Sequence, residues 1–491
     1  MIKQRLSALR FVLPVLILMC LALGLLAGSA KGIEPGDEGS AAAQPTGAEA
    51  AELDDSDSAE DDLDEPGDET PTDTQPVDTQ PVEEAEEQTD ELSPEFGLPG
   101  RRTEHYFIYS QLSEEATTDL SHRLESMYDY YSKRFKDVYS PINFPKQVFL
   151  FSNRQDFVAA GGHPTMPGVF MGGGDSVGAR LMLIFREGNL GSFMMSCPLM
   201  YHEAFHQFVA IDISQAGNVN RKWPVWLDES YATVFNNITW TGDGWVDGIA
   251  RNEMVASAVD NKSSFIPLRR LMDITGAKWH ELTSKGKIWP IYMEGWSLIF
   301  FLNHASRGKY RPLLATYVEQ VSTGQDSSVT RRRIISLQGT FSRWVRRDLH
   351  LHMTGAKYFE IFTAMATSHL ARAHARGQRF ESGEDFLAMA KNRMLNLPPL
   401  GDDQWLPDTL RQELLWYHNL LTQSHQPFKF TIEYPSGGGL PVIHVAQPRF
   451  GLVMKGTYRL DDDGKVKRVK VDYVRCPSID LVKAKKAVGT R

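Results

Sequence analysis

Cysteine is nearly absent from this chain, with Cys20, Cys197 and Cys476 the three present in 491 residues. There is no CxxC pair and no Cys/His cluster, which excludes a finger-type structural zinc site and a disulfide-dense scaffold. Cys197 and Cys476 are left as one pair that an oxidising compartment would allow. Long apolar runs are also scarce. Residues 11–26 hold sixteen positions without a charge, fewer than the roughly 20 that a spanning helix needs. Lys3, Arg5 and Arg10 precede the run, and Ala27-Gly28-Ser29-Ala30 follows it. Residues 1–30 therefore read as an export signal, cleaved as a signal peptide or kept as an N-terminal anchor. Cys20 lies inside the apolar run behind bulky Met19, a poor setting for lipid attachment.

Basic residues are missing altogether from residues 32–100, which carry 24 Asp and Glu among Pro, Thr, Gln, Ala and Gly. The repeat Asp73-Thr-Gln-Pro-Val77 and Asp78-Thr-Gln-Pro-Val82 lies within it. Such a composition buries too little apolar surface to offset the entropy of ordering it. Residues 31–100 are expected to be a disordered acidic linker or pro-segment. The whole chain carries −10 and the acidic segment −24; with Lys3, Arg5, Arg10 and Lys31 set aside, residues 101–491 carry +10. Arg331-Arg332-Arg333 and the lysines from Lys465 to Lys470 contribute to that excess. No aromatic-interleaved basic stripe accompanies them, so the expected partner is an anionic surface polymer, lipid or the chain's own acidic segment rather than nucleic acid.

Ordered structure is expected from Thr103. Strands are expected at 105–109, 147–151, 169–171 and 181–185, with a helix over 112–135, a short helix near Phe157 and a glycine turn at 172–174. Helical spacing follows near 224–239, 247–259, 288–306, 309–322, 333–350, 355–376, 382–395 and 406–424. Strands return near 428–434, 441–446, 451–459 and 466–474, with a hairpin turn at Asp463-Gly464. The order gives an α+β core over 101–350, a helical extension over 351–425 and a small β-rich module over 426–491.

The chemistry concentrates at His202-Glu203-Ala204-Phe205-His206, an H-E-x-x-H pattern. Roughly 0.03 chance matches are expected from this composition. On a helix the two imidazoles stand about 40° apart and can share one metal, with Glu203 beside them. Pro198 suits the first turn of that helix. Leu199, Met200, Phe205, Phe208, Val209 and Ile211 make it a buried helix, where two imidazoles and a carboxylate need partners. A catalytic zinc takes three protein ligands. The third is Glu229, in Pro224-Val-Trp-Leu-Asp-Glu229, or Asp212, six residues after His206. Glu229 is better placed, because a second helix can deliver it across the first. For Asp212 the chain would have to turn back at Val209, where a glycine is wanted.

His202-Glu203-x-x-His206 followed by Trp226-Leu227-Asp228-Glu229 resembles the gluzincin metallopeptidases, whose usual W-L-N-E-G is altered here by Asp228 and Ser230. Tyr292-Met293-Glu294-Gly295 is similar to the Y-x-x-G helix of gluzincin aminopeptidases. The stretch 103–350 also resembles an uncharacterised family of exported bacterial gluzincin-like proteins. The resemblance implies a gluzincin-like core, a small mixed sheet plus the HExxH helix. It implies one Zn2+ on His202, His206 and Glu229, with Glu203 as general base and Tyr292 as the catalytic oxyanion donor; Tyr231 is the alternative donor. The G-x-M-E-N motif that binds a free amine in the aminopeptidases is missing. The expected function is an exported zinc peptidase, periplasmic, extracellular or anchored with its body outside, cutting within a peptide or protein substrate. Membrane association would run through the N-terminal apolar segment. An aminopeptidase, another amide hydrolase, and a non-catalytic surface-binding protein are the alternatives. His350 and His352 diverge on a helix, and Asp461–Gly464 lacks the alternating ligands of a calcium loop.

Overall fold

The structure is a computed structural model that describes residues 91–141, 145–172, 179–186, 190–214, 222–350, 356–399, 407–424, 428–447 and 451–475. The apolar leader, the acidic segment up to Asp90, the turn residues Gly173 and Gly174, His352 and Cys476 lie outside these residues.

Strand structure starts before the expected Thr103. A hairpin of β1 (Glu91–Glu95) and β2 (Leu98–Arg102) precedes β3 (Tyr106–Ser110). It turns at Phe96 and Gly97, both at positive φ. The end of the acidic segment, expected to be disordered, is therefore sheet. The cause is apolar burial at its last positions. Leu98 joins a cluster with Tyr109 and Phe149, and the Phe96 ring stands edge-on to Phe149 at 5.4 Å.

The next helix, α1 (Glu114–Arg134), is capped by Ser113, which accepts from the Ala116 N–H, and has Glu114 and Glu115 in its first turn. Both features oppose the helix dipole favourably. Leu120, Leu124, Met127 and Tyr131 form its buried stripe. Then come β4 (Lys146–Phe151), α2 (Arg154–Ala159), β5 (Gly168–Met171) and β6 (Arg180–Ile184). The sheet runs β1-β2-β3-β4-β6-β5. Its centre is parallel and its flanks antiparallel. Both faces are covered, which explains the unbroken apolar run Val148-Phe-Leu-Phe151. Val148 and Leu150 enter the main core, while Phe149 and Phe151 pack with Phe157 on the other side.

The HExxH helix, α3 (Leu190–Phe208), ends in a π-helical turn, Val209–Ile213. Pro198 lies well inside this helix rather than in its first turn. The residues before it continue the helix, so packing must offset a proline cost of about 3 kcal/mol. Gln207 is fully buried, and its Nε2 donates to the Gln147 carbonyl of β4 at 2.9 Å. That bond fixes the helix to the sheet.

Then follow α4 (Val225–Phe235) and a two-stranded ribbon of β7 (Thr239–Trp240) and β8 (Trp245–Val246). The helix expected over 224–239 therefore stops short. After α5 (Asn252–Asn261) come α6 (Leu268–Met272) and α7 (Gly276–Ser284), neither anticipated from spacing. Next is α8 (Trp289–His304), buried on nearly every side as a central helix must be. After α9 (Arg311–Thr323), the expected 333–350 helix is two, α10 (Ser328–Ser336) and α11 (Gln338–Arg347).

The remainder is α12 (Ala356–Ala375), α13 (Gly383–Lys391), α14 (Pro407–Ser424) and four strands, β9 (Lys429–Glu433), β10 (Val442–Gln447), β11 (Leu452–Leu460) and β12 (Val466–Arg475). The strands form an antiparallel sheet, β12-β11-β10-β9. α12 lies against it so closely that a Cβ at Gly456 would meet Thr367 Oγ1 at 2.0 Å. A buried cluster ties this end to the core. Arg123 of α1 reaches Asp119 at 2.7 Å and Glu413 of α14 at 2.9 Å. The chain is thus a mixed α+β fold, mostly helical in its second half.

Candidate metal centre

Three side chains from two helices converge. His202 and His206 come from successive turns of α3, and Glu229 from the first turns of α4. The two Nε2 atoms are 3.1 Å apart. Glu229 Oε2 lies 3.5 Å from His202 Nε2 and 3.6 Å from His206 Nε2. A tetrahedral zinc with ligands at about 2.05 Å requires edges of about 3.3 Å between ligand atoms. The triangle has that size. Glu229 Oε2 is buried and has no hydrogen-bond partner, a costly state for a carboxylate oxygen unless a cation meets it. The donor set of two imidazoles and a carboxylate suits zinc. On these grounds the residues fit the metal.

A second carboxylate orients the site. Asp228 Oδ1 lies 3.0 Å from His206 Nδ1. Held as N–H donor to Asp228, the ring keeps its Nε2 lone pair for a metal. Burial opposes a charge on His206, but Asp228 and then Glu229 outweigh it and raise its pKa well above the ordinary value. Burial likewise opposes ionisation of Glu229, yet His206 and His202 outweigh it and its pKa is lowered. Without a metal, His206 and Glu229 therefore stand as an ion pair.

Glu203 is set beside the triangle, where its Oε2 accepts the backbone N–H of Phe170 in β5 at 2.9 Å. Tyr292, from α8, stands with its ring centroid 6.5 Å from that of His202. Its pKa is raised well above the ordinary value by burial and then by the charge of Glu229. Trp279 of α7 packs edge-on against it at 5.0 Å. Helices α4 and α8 touch at Gly295, where a Cβ would lie 2.1 Å from Ser230 Oγ. Ser230 in turn donates to the Trp226 carbonyl. This close approach places Tyr292 and Glu229 on the same side of the site.

The two alternative residues lie elsewhere. Asp212 is fully buried; its Oδ1 meets Lys146 Nζ at 3.1 Å and accepts from the Tyr128 hydroxyl at 2.9 Å. The π turn carries it away from the histidines and into this ion pair. Tyr231 is packed among Phe135, Phe205 and Trp223, and burial pushes its pKa up to about 12. Sequence reasoning missed the role of Asp228, whose signal was its place directly before the ligand Glu229. It also missed the Phe170 amide, which leaves no trace in residue type.

One other group of suitable residues gathers among those described, Glu104, His105 and Glu125. There His105 Nδ1 is already engaged by Glu125 at 2.6 Å, and Glu104 is exposed. No described helix is long and apolar enough to cross a membrane; residues 11–26 lie outside that statement. No protein-family model matches the chain, and no curated protein matches it.

Proposed function

We propose that the chain is an exported zinc-dependent peptidase of gluzincin-like architecture that cuts within peptides. The single observation carrying this reading is the zinc-sized triangle of His202, His206 and Glu229 with Glu203 beside it. A zinc ion held there would supply a Lewis acid and a water acidic enough to ionise near neutral pH. Glu203 takes a proton from the attacking water as its oxygen bonds to the peptide carbonyl carbon. The same proton then goes to the amide nitrogen as the C–N bond breaks, which releases a carboxylic acid and an amine; the acid's proton then passes to the amine, giving a carboxylate and an ammonium group. Tyr292, kept undissociated by its raised pKa, donates a hydrogen bond to the carbonyl oxygen as negative charge develops there.

Extended peptide is the favoured substrate form. β5 is an edge strand of the sheet and lies against Glu203, so a substrate can add to it as a further strand. The G-x-M-E-N motif that binds a free α-amine in the aminopeptidases is missing from the sequence, which favours internal cleavage. The +10 carried by residues 101–491 suits attachment to an anionic surface polymer. The test is twofold. Protein purified without chelators should contain about one zinc per chain, and it should cleave internally quenched peptides with both ends blocked. Absence of stoichiometric zinc would favour a non-catalytic binding protein, and cleavage of free-amine peptides alone would favour an aminopeptidase.

A further inference from the structure

Among the described residues β5 is paired on one side only, so half of its backbone groups face away from the sheet. The register assigns which half. Gly168 pairs with Leu183, Val169 with Met182, Phe170 with Leu181 and Met171 with Arg180. The Ile184 N–H donates to the Pro167 carbonyl at 2.8 Å. In an antiparallel ladder the bonded pairs alternate. Val169 and Met171 therefore bond β6, and Gly168 and Phe170 point their N–H and C=O groups outward. One of these outward groups is engaged: the Phe170 N–H donates to Glu203 Oε2 at 2.9 Å.

The strand comes this near to α3 because Gly168 has no side chain. A Cβ there would lie 2.7 Å from Leu183 Cδ2 and 2.9 Å from Leu199 Cδ2, the latter in the HExxH helix. Two independent features thus serve one contact, a glycine that permits the approach and an amide that uses it. A carboxylate on a flexible two-carbon stem samples several rotamers unless it is anchored. A charge-assisted N–H bond is strong enough to select one.

We propose that the Phe170 backbone amide is a positioning group for Glu203, holding one carboxylate oxygen on the strand and leaving the other for proton transfer. The proposal rests on Glu203 being the general base. The contact itself can be read without metal or turnover. Hydrogen exchange of individual amides in the metal-free protein is the test. The Phe170 amide should exchange at least about 10-fold more slowly than the Gly168 amide on the same open edge. Glu203→Ala should abolish that protection while Val169 and Met171, bonded to β6, stay protected. Equal exchange of Phe170 and Gly168 in the wild type, or unchanged Phe170 protection in Glu203→Ala, would overturn it.

If Glu203→Ala loosens the whole strand, replacing the Phe170 amide by an ester decides. A fall in kcat of about 10-fold, with KM and zinc content unchanged, supports the proposal, and an unchanged kcat or a rise in KM alone refutes it. A wild-type protein that protects Phe170 yet hydrolyses nothing would remove the peptidase reading and leave the contact standing.

Discussion

Asp228→Ala is the perturbation whose consequences the site geometry specifies most fully. The contact to His206 Nδ1 is 3.0 Å, with side-chain exposures of 27% for Asp228 and 13% for His206. Two effects compete when the carboxylate is removed. The ring loses the partner that aims Nε2 and makes it basic, which costs about 10- to 100-fold in metal affinity, or about 1.4 to 2.7 kcal/mol. Part-exposure of Asp228 puts the expected loss toward the lower end. The opposing effect is proton competition. Burial resists protonation of His206, but Asp228 and Glu229 raise its pKa well above 6.5, so zinc must displace a proton near neutral pH. Wild-type affinity should fall as pH drops through that raised pKa. In Asp228→Ala the pKa moves back toward its ordinary value and the fall begins at lower pH. The gap between the two proteins should therefore be widest in alkaline buffer and close as pH falls. Asp228→Asn keeps an acceptor oxygen for Nδ1 and should lie between them. Competition titration against a chromophoric chelator at several pH values measures all three. Equal zinc affinity of Asp228→Ala and wild type in alkaline buffer would show that Asp228 does not support His206 as a ligand.

Other expectations follow from the same geometry. Asp212→Ala leaves Lys146 buried without its partner and should destabilise the fold by about 3–5 kcal/mol, while zinc stoichiometry stays near one; thermal melts and metal analysis on the same sample check both. Gly295→Ala should weaken zinc binding by forcing α8 off α4, and Ser230→Gly in the same chain should restore part of the loss. Glu294 is buried with only the Ile266 N–H donating to it, at 2.9 Å, and burial pushes its pKa up to about 8. A carboxyl raised in the fold binds its proton longer than the unfolded chain does, so it lowers stability progressively as pH rises from about 4.5 to 8 and no further above that. Glu294→Gln should flatten the melting temperature over that interval, and an unchanged slope would show that the carboxyl ionises elsewhere in the range.

The site was more legible than the fold around it. His202, Glu203, His206 and Glu229 are distinctive because metal chemistry tolerates few residue types at fixed helical offsets. The strands at 147–151 and 181–185 were legible because a sheet covered on both faces leaves unbroken apolar runs. The hairpin at 91–102 was not, since acidic composition hid the two apolar anchors, Phe96 and Leu98, that hold it. Pro198 misled because tertiary packing holds the helix through a proline that an isolated helix would not tolerate in its interior. Asp212 was already the weaker ligand on sequence, with Val209 where a turning glycine is wanted, but the ion pair that holds it instead was not legible. Lys146 lies in a strand far away in sequence, and nothing in local spacing announces that it pairs with Asp212. The Phe170 amide belongs to the backbone, so only the sheet register reveals it.

The central claim is that one metal triangle and one carboxylate base perform hydrolysis. Glu203→Gln tests it most directly, because the amide keeps the size of the side chain and cannot take a proton from water. Zinc content and cleavage of an end-blocked, internally quenched peptide should be measured on the same preparation. Glu203→Gln should hold about one zinc per chain, as in the wild type, with hydrolysis reduced by at least about 100-fold. Full hydrolysis by Glu203→Gln at wild-type zinc content would contradict it.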